Sequence, residues 1–365
     1  MTRSALSLMA RSAFAYVLLS LTTHAACHLL ADVIAPITRP INRSAALKPR
    51  VLLFIHIAKC AGTTVRGIFH DQKWASTYWS LSQRFEGWKA NRILHSVRLL
   101  LERGDHPRIF VEWHLSPNIT IVPQMGAYVK MMMPDVEFVS FIILRSPTVL
   151  VASTGTYFNP GISPDIYIRT HADYFLFDVL GLPTIMEPNN RTCTDERRQQ
   201  ECNELITGWQ LAGNRPFNAS SEGSSAALRK ASYMLSRMDA RRATVESVGC
   251  ASLTAAALRT LSNLDHVLFL EDNQTMQIVQ RVARWRPAAG NLSFEQIAGD
   301  EKQQYTSPIK ASASSDRWKK QVVAAYKSAK SRDLLSRENT CSLAAYAKIL
   351  ARYRRHDLTS APHRT

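Results

Sequence analysis

The segment FIHIAKCAGTTVRGIF, residues 54–69, joins an apolar run to a turn of small residues and then to a stretch that can start a helix. A strand that ends in such a turn presents backbone N–H groups without intrahelical partners, together with the positive end of the helix dipole. Both suit a phosphate or sulfate. Lys59 adds a mobile cation, and Thr63 and Thr64 add hydroxyl donors at the helix start. The ATP-binding pattern G-x-x-x-x-G-K-[ST] is not met, because the lysine stands three residues before Gly62 rather than after a glycine. That disfavours an ATPase or kinase and leaves an anion cradle, with an ordinary strand–helix turn as the plainer alternative.

A second unit of the same kind is FVSFIILRSPTVLVASTGTYF, residues 138–158. Arg145, Ser146 and Pro147 follow its apolar run and lead into a helical stretch. A guanidinium binds phosphate through charge-assisted, bidentate bonds, and a helix hydroxyl adds another. Taken alone, R-S-P also describes a solvated arginine. Between the two units, RIFVEWHLSPNIT carries Glu112 and His114 at the end of a short apolar strand. Histidine suits a general base because its pKa lies near operating pH, and the chain has 11 histidines to offer.

The pattern H-I-x-K-x-[AG]-G-T-T after a hydrophobic strand, followed by L-R-x-P and a serine eight residues past the arginine, resembles the donor-binding motifs of the Golgi carbohydrate O-sulfotransferases. Among these the heparan sulfate 2-O/6-O group is the most similar. The resemblance implies a donor, 3′-phosphoadenosine-5′-phosphosulfate (PAPS). It implies that Lys59, Cys60, Ala61, Gly62, Thr63 and Thr64 form the loop around the 5′-phosphosulfate, and that Arg145 and Ser153 hold the 3′-phosphate. Lys59 would also donate to the bridging oxygen as charge builds on the leaving phosphate. The family's catalytic histidine falls between the two motifs, so the resemblance points to His114 as the base, with Glu112 as the alternative. His56 is expected to support the loop. Two departures stand out: Cys60 replaces the usual threonine, and Trp113 replaces the small residue that often precedes the histidine. Weaker similarities at WQLAGN (209–214), LDHVLFLEDNQTMQIVQ (264–280) and around Tyr346 extend the resemblance over residues 50–355.

The elements that would position these groups are legible as apolar runs. VLLFIHI (51–57), FVSFIIL (138–144) and HVLFL (266–270) each precede a turn and a helical stretch. Strand, turn and helix recurring in this way predict an α/β fold, a single P-loop-like domain whose central parallel sheet is flanked by helices. From Trp318 the pattern predicts two helices, WKKQVVAAYKSAKSRDLL and SLAAYAKILARYRR. The polar stretch 187–228 reads as a surface excursion.

The whole chain of 365 residues, 46% apolar and 20% charged, is neither disordered, collagen-like nor a small disulfide scaffold. Residues 12–31 carry no charge and follow Arg3 and Arg11. A helix of that length spans a bilayer core of about 30 Å, and the flanking cations favour a cytosolic N-terminus. The expected order is a cytosolic tail 1–11, a signal anchor 12–31, a stem 32–49 and a lumenal domain 50–356. A signal peptide cleaved near Ala25 and Ala26, or a buried globular helix, are the alternatives. Six N-x-S/T sequons, at Asn42, Asn118, Asn190, Asn218, Asn273 and Asn291, compare with roughly two expected by chance. None of the six cysteines has C-x-x-C spacing, which gives a zinc site little support. In an oxidising lumen, Cys193 could pair with Cys202 and Cys250 with Cys341.

Lys+Arg number 45 against 29 Asp+Glu, a net charge of +16, which predicts a polyanionic partner. From Arg281 onward there are 17 basic and 7 acidic residues. That excess is either a solvated helix face or a surface for an acidic polymer. The expectation is therefore a single-pass type II Golgi membrane glycoprotein that transfers a sulfuryl group from PAPS to a sugar hydroxyl of a glycosaminoglycan-like acidic polysaccharide, chemistry that needs no metal. Two rivals remain. A lumenal kinase would need an acidic Mg²⁺ ligand near the second or third strand, where Asp135 and Asp272 are on offer. A non-catalytic heparin- or glycan-binding protein on the same fold would need none. Nucleic-acid binding fits the charge but not the compartment.

Overall fold

The computed structural model of the chain describes residues 49–71, 75–80, 86–102, 108–114, 119–158, 162–181, 193, 195–211, 221–272, 274–282 and 313–356. The expected tail, the anchor, the stem up to residue 48 and all six sequon asparagines lie outside the described residues. Among the described residues no helix is long and apolar enough to cross a membrane.

Five strands, β1 (Arg50–His56), β2 (Ala75–Ser80), β3 (Arg108–His114), β4 (Glu137–Leu144) and β5 (His266–Phe269), form one sheet in the order β2-β3-β1-β4-β5. Every pairing is parallel. The helices between and after them are α1 (Gly62–Asp71), α2 (Glu86–Glu102), α3 (Val122–Met132), α4 (Pro147–Phe158), α5 (Pro164–Thr170), α6 (Tyr174–Leu180) and α7 (Glu196–Leu211). They continue as α8 (Ser221–Val248), α9 (Cys250–Leu261), α10 (Thr275–Val282), α11 (Ala313–Lys327), α12 (Ala329–Glu338) and α13 (Thr340–His356).

The sheet explains the continuous apolar runs. In β1, Leu53 and Ile55 face one layer and Leu52 and Phe54 the other, and all four are fully buried. A parallel strand covered on both sides has no polar face to alternate with. One layer packs α2, α3, α9 and α13 on the sheet, through residues such as Val97, Val129, Ala257 and Ile349. The other packs α1 against Phe54, Phe110 and Phe141, through Val65, Ile68 and Phe69. A third apolar cluster lies among the helices, joining α5, α7, α8, α11 and α12 through residues such as Tyr167, Leu205, Leu235 and Tyr326.

The strand order places β1 at a reversal. The chain runs from β1 through β2 to β3 on one side, then crosses to β4 and β5 on the other. In open α/β sheets the crevice at the carboxyl end of the strands at such a reversal is where ligands bind. The loop after β1 is in that position.

Both expected cysteine pairs are formed: Cys193 with Cys202, and Cys250 with Cys341, which ties the first turn of α9 to α13. Three expectations are corrected. The strand β2 was not anticipated, since ASTYWS has no apolar run. The single helix expected over 318–335 is broken at Ser328, whose Oγ accepts from the Ser331 N–H at 3.2 Å and starts α12. Within 187–228 most of the described residues are in α7 and the start of α8, and Cys193, Cys202 and Leu205 are buried rather than part of a surface excursion.

Candidate functional site

The loop after β1 is built on unusual backbone. Lys59 and Ala61 have φ of 64° and 62°, left-handed conformations that cost a non-glycine residue about 1 kcal/mol or more. They flank Cys60, whose N–H donates to the Ile57 carbonyl at 3.1 Å. Alternating left-handed residues curl successive N–H groups toward one side, the concave arrangement that holds anions. Helix α1 then begins, with the Val65 N–H donating to the Ala61 carbonyl at 2.9 Å. Gly62, Thr63 and Thr64 occupy its first turn, where N–H groups have no partner one turn back.

Gly62 is required by a neighbour. A Cβ at this position would stand 1.9 Å from Cε1 of the His56 ring. The His56 ring thus lies directly against the loop backbone, in the supporting place expected for it. Cys60 is buried and unpaired with any cysteine, and burial pushes its thiol well up. It is a packed, protonated side chain under the loop.

Arg145 leaves the end of β4 and joins the two motifs. Its Nη1 donates to the Lys59 carbonyl oxygen at 3.0 Å and to Ser153 Oγ at 3.1 Å. The eight-residue spacing works because Arg145 precedes α4 and Ser153 lies in its second turn. Lys59 extends over the ring of Tyr157, with Nζ 3.7 Å from the centroid. Burial, and the nearby Arg145 charge, hold the Lys59 amine below its ordinary pKa. Tyr157 is 51% exposed and stands one turn beyond Ser153 on α4. Behind Arg145, Glu271 accepts from the Ser146 N–H and from the Tyr346 hydroxyl, each at 2.9 Å. The late strand–Glu–helix unit and the Tyr346 region thereby meet at the second motif.

His114 ends β3 as His56 ends β1, and the two are register partners. Their rings stack with centroids 4.3 Å apart. Burial, then the charge of His56 and last that of Arg66, depress the His114 imidazole to a pKa of about 4, against an opposing effect of Glu112 that is smaller than that of His56. Above that pH the ring is uncharged, and it is a weaker base than an ordinary imidazole, whose pKa lies nearer operating pH. Glu112 is enclosed differently. Only 1% exposed, it accepts from Arg66 Nε at 2.8 Å and Arg66 Nη2 at 2.8 Å, and pairs with His56 Nδ1 at 2.6 Å. Burial alone would raise its carboxyl, but the bonds from His56 and Arg66 hold it below the ordinary range. An ionised, enclosed carboxylate with its acceptors occupied is not an accessible base, so the geometry favours His114 of the two candidates.

Sequence reasoning missed Arg66, Tyr157 and the Glu112 network. A signal existed for two of them: Tyr157 is four residues from Ser153, and Glu112 is two from His114, hence on the same strand face. Of the acidic residues a kinase would need, Asp135 lies in the turn entering β4, at the amino end of the parallel strands, whereas the Lys59 loop follows the carboxyl end of β1. Asp272 follows the carboxyl end of the outermost strand β5, where its Oδ1 accepts from the Gln274 N–H at 2.9 Å. Trp209 and Gln210 belong to the end of α7, and residues 212–214 of that similarity lie outside the described residues. No family model matches the chain, nor does any curated protein or solved structure.

Proposed function

We propose that the protein transfers a sulfuryl group from PAPS to a sugar hydroxyl of an acidic, glycosaminoglycan-like glycan in the Golgi lumen. The observation that carries this reading is the joining of the two motifs: Arg145 bonds both the Lys59 carbonyl and Ser153 Oγ, while His114 stacks on the His56 ring that lies against Gly62 of the same loop. Anion-binding groups for two separate phosphates, with a base next to them, suit a donor that carries charge at both its 3′ and 5′ ends.

PAPS would supply the sulfuryl group and a phosphate leaving group. The N–H groups of the loop from Lys59 to Thr64 would hold the 5′-phosphosulfate, and Arg145 and Ser153 the 3′-phosphate. His114 would take the proton of the attacking hydroxyl as the new S–O bond forms. Lys59 would donate to the bridging oxygen as the old S–O bond breaks and charge passes to the departing phosphate. Positioning and electrostatics do most of such work, as in phosphoryl transfer.

Two disulfides and six sequons support a lumenal, secretory-pathway setting. The charge of the last helices supports a polyanionic acceptor: Lys320, Lys327, Arg332, Lys348 and Arg352 are all exposed. The test is incubation of the full chain with ³⁵S-labelled PAPS and a panel of glycans, beside Lys59→Ala and His114→Ala. Transfer by the wild type, abolished in both variants while His114→Ala still binds PAPS, is expected. Absence of PAPS binding by the wild type would end this reading.

A further inference from the structure

Glu112 is expensive where it stands. An ionised carboxylate enclosed in a parallel sheet loses its hydration, and a buried ion pair rarely repays that loss in stability. Arg66 alone would satisfy it through two N–H groups in a fork. The third bond, to His56, is not needed for that pairing. It ties together three elements instead, since Glu112 is on β3, His56 ends β1, and Arg66 rises from α1.

His56 is the piece that this carboxylate fixes. Because Glu112 is ionised and can only accept, His56 Nδ1 must carry the hydrogen between them. The ring is then held in one plane with three neighbours. Phe54 stacks on it at 5.3 Å, His114 stacks on it at 4.3 Å, and the Gly62 backbone lies against its edge. One imidazole therefore touches both the candidate base and the first residue of the helix that opens the anion loop.

We infer that Glu112 is the positioning residue for the base: acting through His56, it keeps the His114 ring and the Gly62 end of the donor loop at one fixed separation. The inference rests on the proposed transfer reaction for its catalytic meaning, but its physical content does not. The charged and titratable groups facing His114 are His56 from β1, Glu112 from its own strand and Arg66 from α1. Their effects on His114 have different signs: Glu112 favours its protonated form, while His56 and Arg66 oppose it.

The test uses the full chain labelled with ¹³C at histidine Cε1, with the His114 titration followed by NMR and assigned through His114→Gln. Glu112→Gln is expected to move the His114 midpoint down, and His56→Gln to move it up. For charges at this separation each shift should be about one pH unit, between the limits for water and for a partly buried pair. In the transfer assay, Glu112→Gln should lower kcat by about tenfold or more with PAPS affinity retained. Glu112→Asp, which keeps the charge but shortens the reach, should lose turnover while leaving the His114 titration nearer to wild type, and it carries the test should Glu112→Gln not fold. A His114 midpoint unmoved by either substitution, or moved the same way by both, overturns the inference. So does equal loss of PAPS affinity and turnover in Glu112→Gln, which would make the network merely a brace for the loop. A wild type without transfer activity would remove the sulfotransferase reading, while the route of action would still be decided by titrating His114 in the Glu112→Gln, His56→Gln and double variants: an effect of Glu112→Gln that is undiminished when His56 is already replaced would show that Glu112 acts directly and would overturn the inference.

Discussion

Arg145 donates a single guanidinium nitrogen to two partners, the carbonyl of Lys59 and the hydroxyl of Ser153, at 3.0 and 3.1 Å. A residue 86 positions before Arg145 and one eight positions after it thus share one donor, and the two motifs become one surface. Arg145→Ala should lower PAPS affinity by about a hundredfold, since a charge-assisted contact and the loop's anchor go together. Arg145→Lys should recover only part of it, because an ammonium cannot reproduce the fork. Calorimetric titration measures both, and equal affinity of wild type and Arg145→Ala would contradict the assignment.

Gly62→Ala introduces a methyl group into the space of the His56 ring. The expected cost is about 1–3 kcal/mol of stability, typical of overpacking. Replacing His56 by Ala in the same chain should relieve much of it, so the two substitutions should be less than additive. Denaturant midpoints of the two single variants and the double variant decide the point.

Acid should destabilise the fold through its buried imidazoles. His114 is depressed to about 4 by burial, His56 and Arg66, and His171, stacked on Tyr167, to about 3 by burial and Arg241. An unfolded histidine titrates near about 6.5. Between that pH and the folded values, the unfolded chain binds protons that the folded chain excludes. Stability therefore falls as pH drops from about 6.5 toward 4. Urea unfolding across this window should show the slope, and His171→Gln should flatten it. A flat wild-type profile would mean that these rings are far more hydrated than their packing implies.

The two disulfides should differ in worth. The entropy of closing a loop gives about 4.5 kcal/mol for the 91-residue separation of Cys250 and Cys341, against about 2.5 kcal/mol for the 9-residue separation of Cys193 and Cys202. Paired Cys→Ala variants should rank in that order in thermal unfolding. The reverse order would show that strain or packing, rather than chain entropy, sets their value.

Much of this architecture was legible because burial on both faces writes itself into the residues. The runs Val51–Ile57 and Phe138–Leu144 read as inner strands, and they are β1, which starts and ends one residue earlier, and β4, which starts one residue earlier and ends at the same residue. Lys59 could be picked out because it stands in a small-residue turn directly after such a run, whereas Arg145 and Ser153 were picked out by their resemblance to a known donor-binding motif. β2 is a six-residue strand of mixed polarity, too short for a pattern to form. The Arg66–Glu112–His56 network was invisible for another reason: its partners are separated by 46 and 56 residues, and only the register of β1 with β3 brings them together. The break at Ser328 illustrates a local signal overridden by a stronger periodic one, since a capping serine sits in an otherwise continuous helical pattern.

The thiol of Cys60, fully enclosed and held protonated beneath the loop, gives the molecule a built-in clock. A thiol in that state is inert to alkylating reagents until the backbone above it lifts. Among the described residues it is also the only cysteine not in a disulfide. The rate at which it is labelled in the native protein therefore counts openings of the segment from Lys59 to Gly62. An anion bound across that segment should slow the count in proportion to its occupancy.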